Sequence, residues 1–383
     1  MDETHIETVS PPFVVLPGWV SSVIDLLWLM LCGISWLFSL VAGLALAHYF
    51  TTKFEFLGFA LVPVIWLATV WVHEYGHVLG GRAVGMTPHL MQVGPFLLWK
   101  QRWGWRLQWH RKRRDYGGLT MAFINPDIDY RQQQMVMTIG GPAANLLVAM
   151  IMGWGALYIE ERDMDGFLWG LAVLNLAMAL ANLLPKRGTL ASDGMLLLDL
   201  YKGIDEESPE FLIAHLNGLS VKGTTADKLP VDILAKLESQ PAPYPLFQTW
   251  YVVKGLQNRN EWAQVVALEP LVEDRISKLS PELEMAMSEL AAQMRCEIAF
   301  SKVMTGQKLD HTIDQALTMN SDWSNPGLRA RCHALMAVRQ GNEALARSLL
   351  EKSRRSVSRS IDLALHASEA SIRRAITLQI TSA

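Results

Sequence analysis

Cysteine is scarce in this 383-residue chain. It occurs three times, at Cys32, Cys296 and Cys332, with no paired or metal-ligand spacing. That excludes a disulfide framework or a cysteine-ligated zinc site as the organising feature. Excess charge of either sign is lacking too. A formal net charge of −3 excludes a general nucleic-acid binder, which needs a basic footprint. From Met1 to Gly18 there is no Lys or Arg, while Asp2, Glu3 and Glu7 are present. A cleaved signal peptide needs a basic start, so none is expected there. The most informative absence is local: from Phe56 to Val72 the chain has no charged residue.

Uncharged stretches recur through the first half, whereas the second half is ordinary in its charge. A membrane domain followed by a soluble one is the reading. Crossing a bilayer takes roughly 20 apolar residues, and four stretches qualify: Leu26 to Phe50, Phe56 to about Gly81, Met135 to Ile159, and Gly166 to Pro185. Four crossings return the chain to its starting side. Arg82 to Val136 carries nine basic residues against three acids, and Glu160 to Asp165 is mostly acidic. The positive-inside rule therefore predicts that the long basic loop, both termini and the soluble half are cytosolic. The basic run 111–114 reads as a solvated patch touching headgroups. In Phe96 to His110, Trp99, Trp103, Trp105 and Trp109 alternate with Lys and Arg, as in an interfacial strand or hairpin. Anchoring in the headgroup layer is the simplest role; an edge on which an unwound segment pairs is the sharper one.

Into the second apolar stretch the chain places His73-Glu74-Tyr75-Gly76-His77. Residues four apart share a helix face, so both imidazoles can reach one zinc ion. Glu74 stands where a carboxylate can take a proton from a zinc-bound water. A catalytic site needs a third ligand on the same side and at a similar depth. Asp193, after the last apolar stretch, meets that condition: Pro185 ends the helix and Gly194 frees the backbone to turn the carboxylate inward. Two Asn residues interrupt apolar runs. Asn145 reads first as a residue bonding across helices. Asn182 reads equally as that or as a donor to a substrate carbonyl or oxyanion. Both stay candidates for the second role, and Asn175 poses the same question.

Three elements, His73–His77, Gly141-Pro-x-x-Asn145, and Asn182-x-x-Pro185 leading to Asp193-Gly194, resemble the site-2 protease family of intramembrane zinc metalloproteases (peptidase family M50). The resemblance covers about residues 20–200. It implies a three-helix catalytic core with His73, His77 and Asp193 as Zn2+ ligands and Glu74 as general base. It also implies a membrane-associated β segment at about Met86 to Gly118. Seven residues separate Pro185 from Asp193, towards the long end for such proteins. No PDZ-like insert lies between the motifs.

From about Glu206 the sequence reads as helical and soluble. Gly306 and Gly341 lie 35 residues apart, each after an amphipathic helix (Met285 to Met304 and Gly327 to Arg339). Ala346 fits the tetratricopeptide pattern, whereas His311 takes the equivalent place of the other unit and no Trp-Leu-Gly signature occurs; a TPR-like array is expected. The expected fold is an all-α polytopic membrane protein of about four transmembrane helices with a membrane-associated β-like loop, plus a C-terminal helical domain. Residues 1–21 would be an N-terminal cytosolic segment, 22–204 the metalloprotease domain and 205–383 the TPR-like domain. The expected activity is zinc-dependent cleavage of a membrane-spanning protein near its cytosolic face. The family suggests regulated proteolysis in a bacterial inner membrane, with an anti-sigma factor or other membrane-tethered regulator as substrate and a protein partner for the helical domain. Two other classes stay open: a catalytically idle membrane scaffold binding partners through the helical domain, and a metal transporter or sensor using the same His and Asp cluster.

Overall fold

A computed structural model describes residues 14–50, 57–101, 104–109, 117–188, 191–203, 205–307, 313, 317, 322 and 324–382. The run 111–114, Trp103 and His311 lie outside the described residues. Two compact units emerge, one of Met1–Trp99 with Leu107–Glu206, the other of Lys100–Arg106 with Glu207–Ala383.

In the first unit, α1 (Gly18–Phe50), α2 (Leu57–Ala83), α3 (Tyr130–Ala156) and α4 (Arg162–Leu183) are each long and apolar enough to cross a membrane. Helix α1 packs on α2 and α4, and α3 likewise on α2 and α4. At one end of the bundle His48 Nε2 meets Asp163 Oδ2 at 3.7 Å. At the other, Lys186 Nζ meets Asp25 Oδ1 at 2.8 Å and sits over the Trp28 ring. Consecutive helices therefore run up and down, and α1 begins at the end where α4 finishes. Val64, Trp71, Tyr75 and Leu79 form an exposed apolar stripe on α2 at helical spacing. Such an exterior is compatible with a membrane.

Helices α1, α3 and α4 start earlier than the apolar runs, and polar side chains cap α3 and α4. Asp129 accepts from Gln132 N, and Glu161 accepts from Asp163 N and Met164 N. Asp25 lies inside α1, whose 33 residues span about 50 Å against a hydrocarbon core of about 30 Å. On the inner face, Gly76 and Gly80 of α2 seat against the α3 backbone at Val136–Gly140. A Cβ on Gly80 would come within 2.6 Å of the Val136 carbonyl oxygen, and one on Gly76 would overlap that of Gly140. Small residues one turn apart permit this approach.

Strands β1 (Thr87–Val93), β2 (Phe96–Gln101), β3 (Gly104–Trp109) and β4 (Gly118–Phe123) form a sheet in the order β3-β2-β1-β4. The expected interfacial hairpin is thus one half of a four-stranded sheet that extends to Phe123. β1 runs antiparallel to both neighbours, with Met91 opposite Leu98 and Thr120. A bulge between Pro88 and Leu90 leaves His89 without a cross-strand partner position. His89 stacks on Phe123 at 4.0 Å, and burial pushes its pKa down to about 4. Met91 and Val93 pack on Val70 of α2, fixing which face of the sheet meets that helix.

From Pro209 on, the described residues of the second unit are helical, from α6 (Pro209–Lys222) through α7 (Val231–Glu238), α8 (Tyr244–Asn258), α9 (Trp262–Ala267), α10 (Glu269–Ser277), α11 (Pro281–Met304), α12 (Leu328–Arg339) and α13 (Glu343–Val357) to α14 (Leu363–Ser382). The short α5 (Asp193–Lys202) belongs to the first unit. Helices α12 and α13 form a hairpin through Gly341 at φ 71°, and Gly306 at φ 91° ends α11 similarly. One hairpin of this kind does not establish a TPR-like array. Between α8, α11, α12 and α14 lies a buried ionic knot. Lys254 Nζ donates to Glu297 Oε1 at 3.0 Å, Arg331 Nη2 also donates to Glu297, and Arg331 Nε donates to Glu369 Oε1 at 3.0 Å. Burial opposes charge on Glu297, but Arg331, Lys254 and Gln257 override it and hold the carboxyl down to about 2. Cys296 and Cys332, far apart in sequence, are buried free thiols with sulfurs 3.9 Å apart.

Candidate metal centre

His73 and His77 lie on the inner face of α2, and Asp193 opens α5 beneath the end of α4. His73 Nε2 stands 3.2 Å from His77 Nε2 and 3.0 Å from Asp193 Oδ2; His77 Nε2 stands 3.4 Å from Asp193 Oδ1. All three side chains are buried.

The surrounding hydrogen bonds decide the tautomers. His77 Nδ1 faces the Met137 carbonyl oxygen at 2.8 Å, an acceptor only, so Nδ1 carries the proton. His73 Nδ1 faces Asn145 Oδ1 at 2.7 Å. The Asn145 amide is oriented in turn: its Nδ2 donates to Asn175 Oδ1 at 2.8 Å and towards the Thr69 carbonyl at 3.4 Å. Asn175 Nδ2 donates to the Leu171 carbonyl. The His73 proton therefore also sits on Nδ1. In the neutral rings both Nε2 lone pairs then face each other and a carboxylate. In that form the three groups could hold a metal ion. Zinc fits it: ligand atoms about 2.0–2.1 Å from a tetrahedral ion lie about 3.3 Å apart, with a fourth position open. The outer partners of the two imidazoles are of the kind that orient metal-ligating His.

Asp193 is held by a compact turn. Arg187 and Ala191 form a bridge, so the seven-residue spacer doubles back and its ends meet. Ser192 caps α5: its Oγ accepts from Met195 N at 3.2 Å and Lys186 N at 3.0 Å and donates to the Leu184 carbonyl at 2.5 Å. Gly194 has ordinary helical backbone; it provides room against Leu183 and Leu184 rather than a turn.

Glu74 is 4% exposed, and its Oε2 accepts from Thr120 Oγ1 of β4 at 2.7 Å. Gly118 lies beside the other oxygen, where a Cβ would overlap Oε1. Gly141 lies against the imidazole pair: a Cβ there would come within 2.9 Å of His73 Nε2 and closer still to His77. Its place in the Gly141-Pro-x-x-Asn145 element does not by itself reveal this contact. Asn145 stands near the middle of α3, and Asn182 on the last turn of α4 donates to the Met178 carbonyl at 3.0 Å. Sequence reasoning missed Thr120, Gly118, Ser192 and the Met137 carbonyl. None stands within a motif that announces it.

No protein-family model, curated protein or solved structure matches the chain. The functional reading rests on the site itself.

Proposed function

We propose that the chain is a zinc-dependent intramembrane endopeptidase that cuts a membrane-spanning protein segment, near the cytosolic face. The observation that carries this is the convergence of two imidazole Nε2 atoms and a carboxylate, with Glu74 alongside, inside helices of membrane length. His73, His77 and Asp193 would hold zinc, which when bound acidifies water and polarises a carbonyl. Asn145 and the Met137 carbonyl hold the two imidazoles in the binding tautomer. Glu74 takes the proton of the attacking water and passes it to the departing amide nitrogen. Asn145 has its carbonyl and amide committed within the bundle, so Asn182 is the better oxyanion donor, exchanging its bond to Met178 for the substrate.

A helical substrate shields its amides and must unwind before attack. Strand β4 is an edge of the sheet and touches Glu74 through Thr120, so its free side offers a template for the extended segment. The role as a regulatory protease of a bacterial inner membrane, acting on an anti-sigma factor or similar tethered regulator, follows the family resemblance. The second unit, if its helices serve as a TPR-like array does, would take a protein partner. Mapping protein termini in membranes of cells carrying the wild type or Glu74→Gln tests the reading. Cuts within or beside apolar segments only in the wild type support it. Identical termini, with zinc bound in both proteins and the wild type shown to act, would replace it with a scaffold or metal-handling role.

A further inference from the structure

Resting on the protease reading, we infer that Thr120 is the positioning residue of the general base: it holds Glu74 Oε2 so that Oε1 receives the proton. A buried carboxylate in an apolar helix has several rotamers of similar energy unless something selects one. The Thr120 hydroxyl has a single proton, with the Glu74 carboxylate at 2.7 Å and the Glu74 backbone carbonyl at 3.2 Å. The shorter, charged acceptor is the stronger partner. Its platform is stiff. Thr is β-branched, with a restricted χ1, and Thr120 pairs across the sheet with Met91, which packs on Val70 one turn before Glu74.

Gly118 completes the device. Two residues earlier on the same strand face, it puts only a Cα beside Oε1, where any side chain would occupy the space of the second oxygen. One carboxylate oxygen is thus engaged by a hydroxyl, and the other is left with its lone pairs and room next to it. β4 then does two jobs: its outer edge takes the substrate and its inner face sets the base, so both are referenced to one rigid strand.

The test uses the full-length protein in detergent, with zinc loading measured and fluorescein-labelled casein as the probe of peptide cleavage. Thr120→Val should lower kcat by about 10- to 100-fold, the loss expected for one hydrogen bond to a charged group. KM should stay within about twofold and zinc content should be unchanged. Thr120→Ser, which keeps the hydroxyl, should recover most of the rate. A second readout does not need turnover. In the metal-free protein, the carboxylate infrared band identified by difference against Glu74→Gln should move in Thr120→Val and return in Thr120→Ser. Thr120→Val with wild-type kcat, or with zinc lost in proportion to activity, overturns the inference and leaves the protease reading standing. Wild type no more active than Glu74→Gln overturns both.

Discussion

Replacing Asn145 by Ala isolates what the outer hydrogen bonds contribute to metal binding. Two costs arise and fall in different places. The Asn175 Oδ1 atom loses the donor that reaches it at 2.8 Å, in metal-free and metal-loaded protein alike. His73 Nδ1 loses its 2.7 Å acceptor while the ring stays 5% exposed. In the metal-free state the ring can respond by moving its proton to Nε2, where Asp193 Oδ2 waits at 3.0 Å. Metal binding must undo that tautomer and leave a buried N–H unpaired, which costs about 1–3 kcal/mol. At about 1.4 kcal/mol per tenfold, zinc affinity should fall about 10- to 100-fold, in the range usual for such outer partners. The thermal midpoint of the metal-free protein should fall by much less than that of the loaded one. Competition against a chelator of known affinity, in detergent, reads the difference. Asn175→Ala removes only the group that orients Asn145 and should lie between Asn145→Ala and wild type. A dissociation constant for Asn145→Ala within twofold of wild type, in folded protein, would refute the tautomer argument.

Gly76→Leu should force α2 and α3 apart, because the new side chain meets the Gly140 carbonyl rather than a flexible neighbour. Overpacking of this kind costs about 3 kcal/mol or more, and both zinc retention and the thermal midpoint should drop together. The second unit should weaken in acid. The Glu297 carboxyl is held to about 2, below its ordinary 4.5, so its contribution is complete above pH 4.5 and is lost as pH falls towards 2. The loss is about 1.4 kcal/mol per pH unit across that window. Labelling of the buried Cys296 and Cys332 by an acid-competent aromatic disulfide, above the Cys32 baseline, should accelerate there in wild type and much less in Glu297→Gln.

What could be read from the sequence was whatever is periodic or spaced along one element. His73 and His77 share a helix face by arithmetic alone, and the apolar runs locate the four long helices. Their starts differ from the apolar runs because polar residues lie inside the helices ahead of those runs: Asp25 in α1, Arg131 to Gln134 in α3 and Arg162 to Asp165 in α4. Asp193 could be placed by side and depth, but not the bridge at Arg187 and Ala191 that makes its long spacer harmless. The contacts that set the chemistry lie between elements. Thr120 reaches Glu74 across 46 positions, and its register depends on a bulge at His89 that alternation does not reveal. Gly141 was legible as a small residue in a helix; that its missing Cβ makes room for two imidazoles depends on how α2 and α3 dock.

Two buried polar clusters in this chain show why burial alone does not identify a functional site. The knot of Lys254, Glu297, Arg331 and Glu369 contains two cations and two anions, bonded directly to one another. Its charge closes within the protein, so a role in fixing the register of four helices accounts for it without any ligand. With both imidazoles neutral, the cluster of His73, His77 and Asp193 does not close. Each imidazole has spent its proton outward, on Met137 or Asn145, and what remains at the centre is two lone pairs and a carboxylate. Apolar helices around it offer no compensating charge, and desolvation makes an unmet anion there costly. On the proposed reading a cation at the centre offsets that cost, and Glu74, one residue from His73 and held by Thr120, would give that cation's water a base.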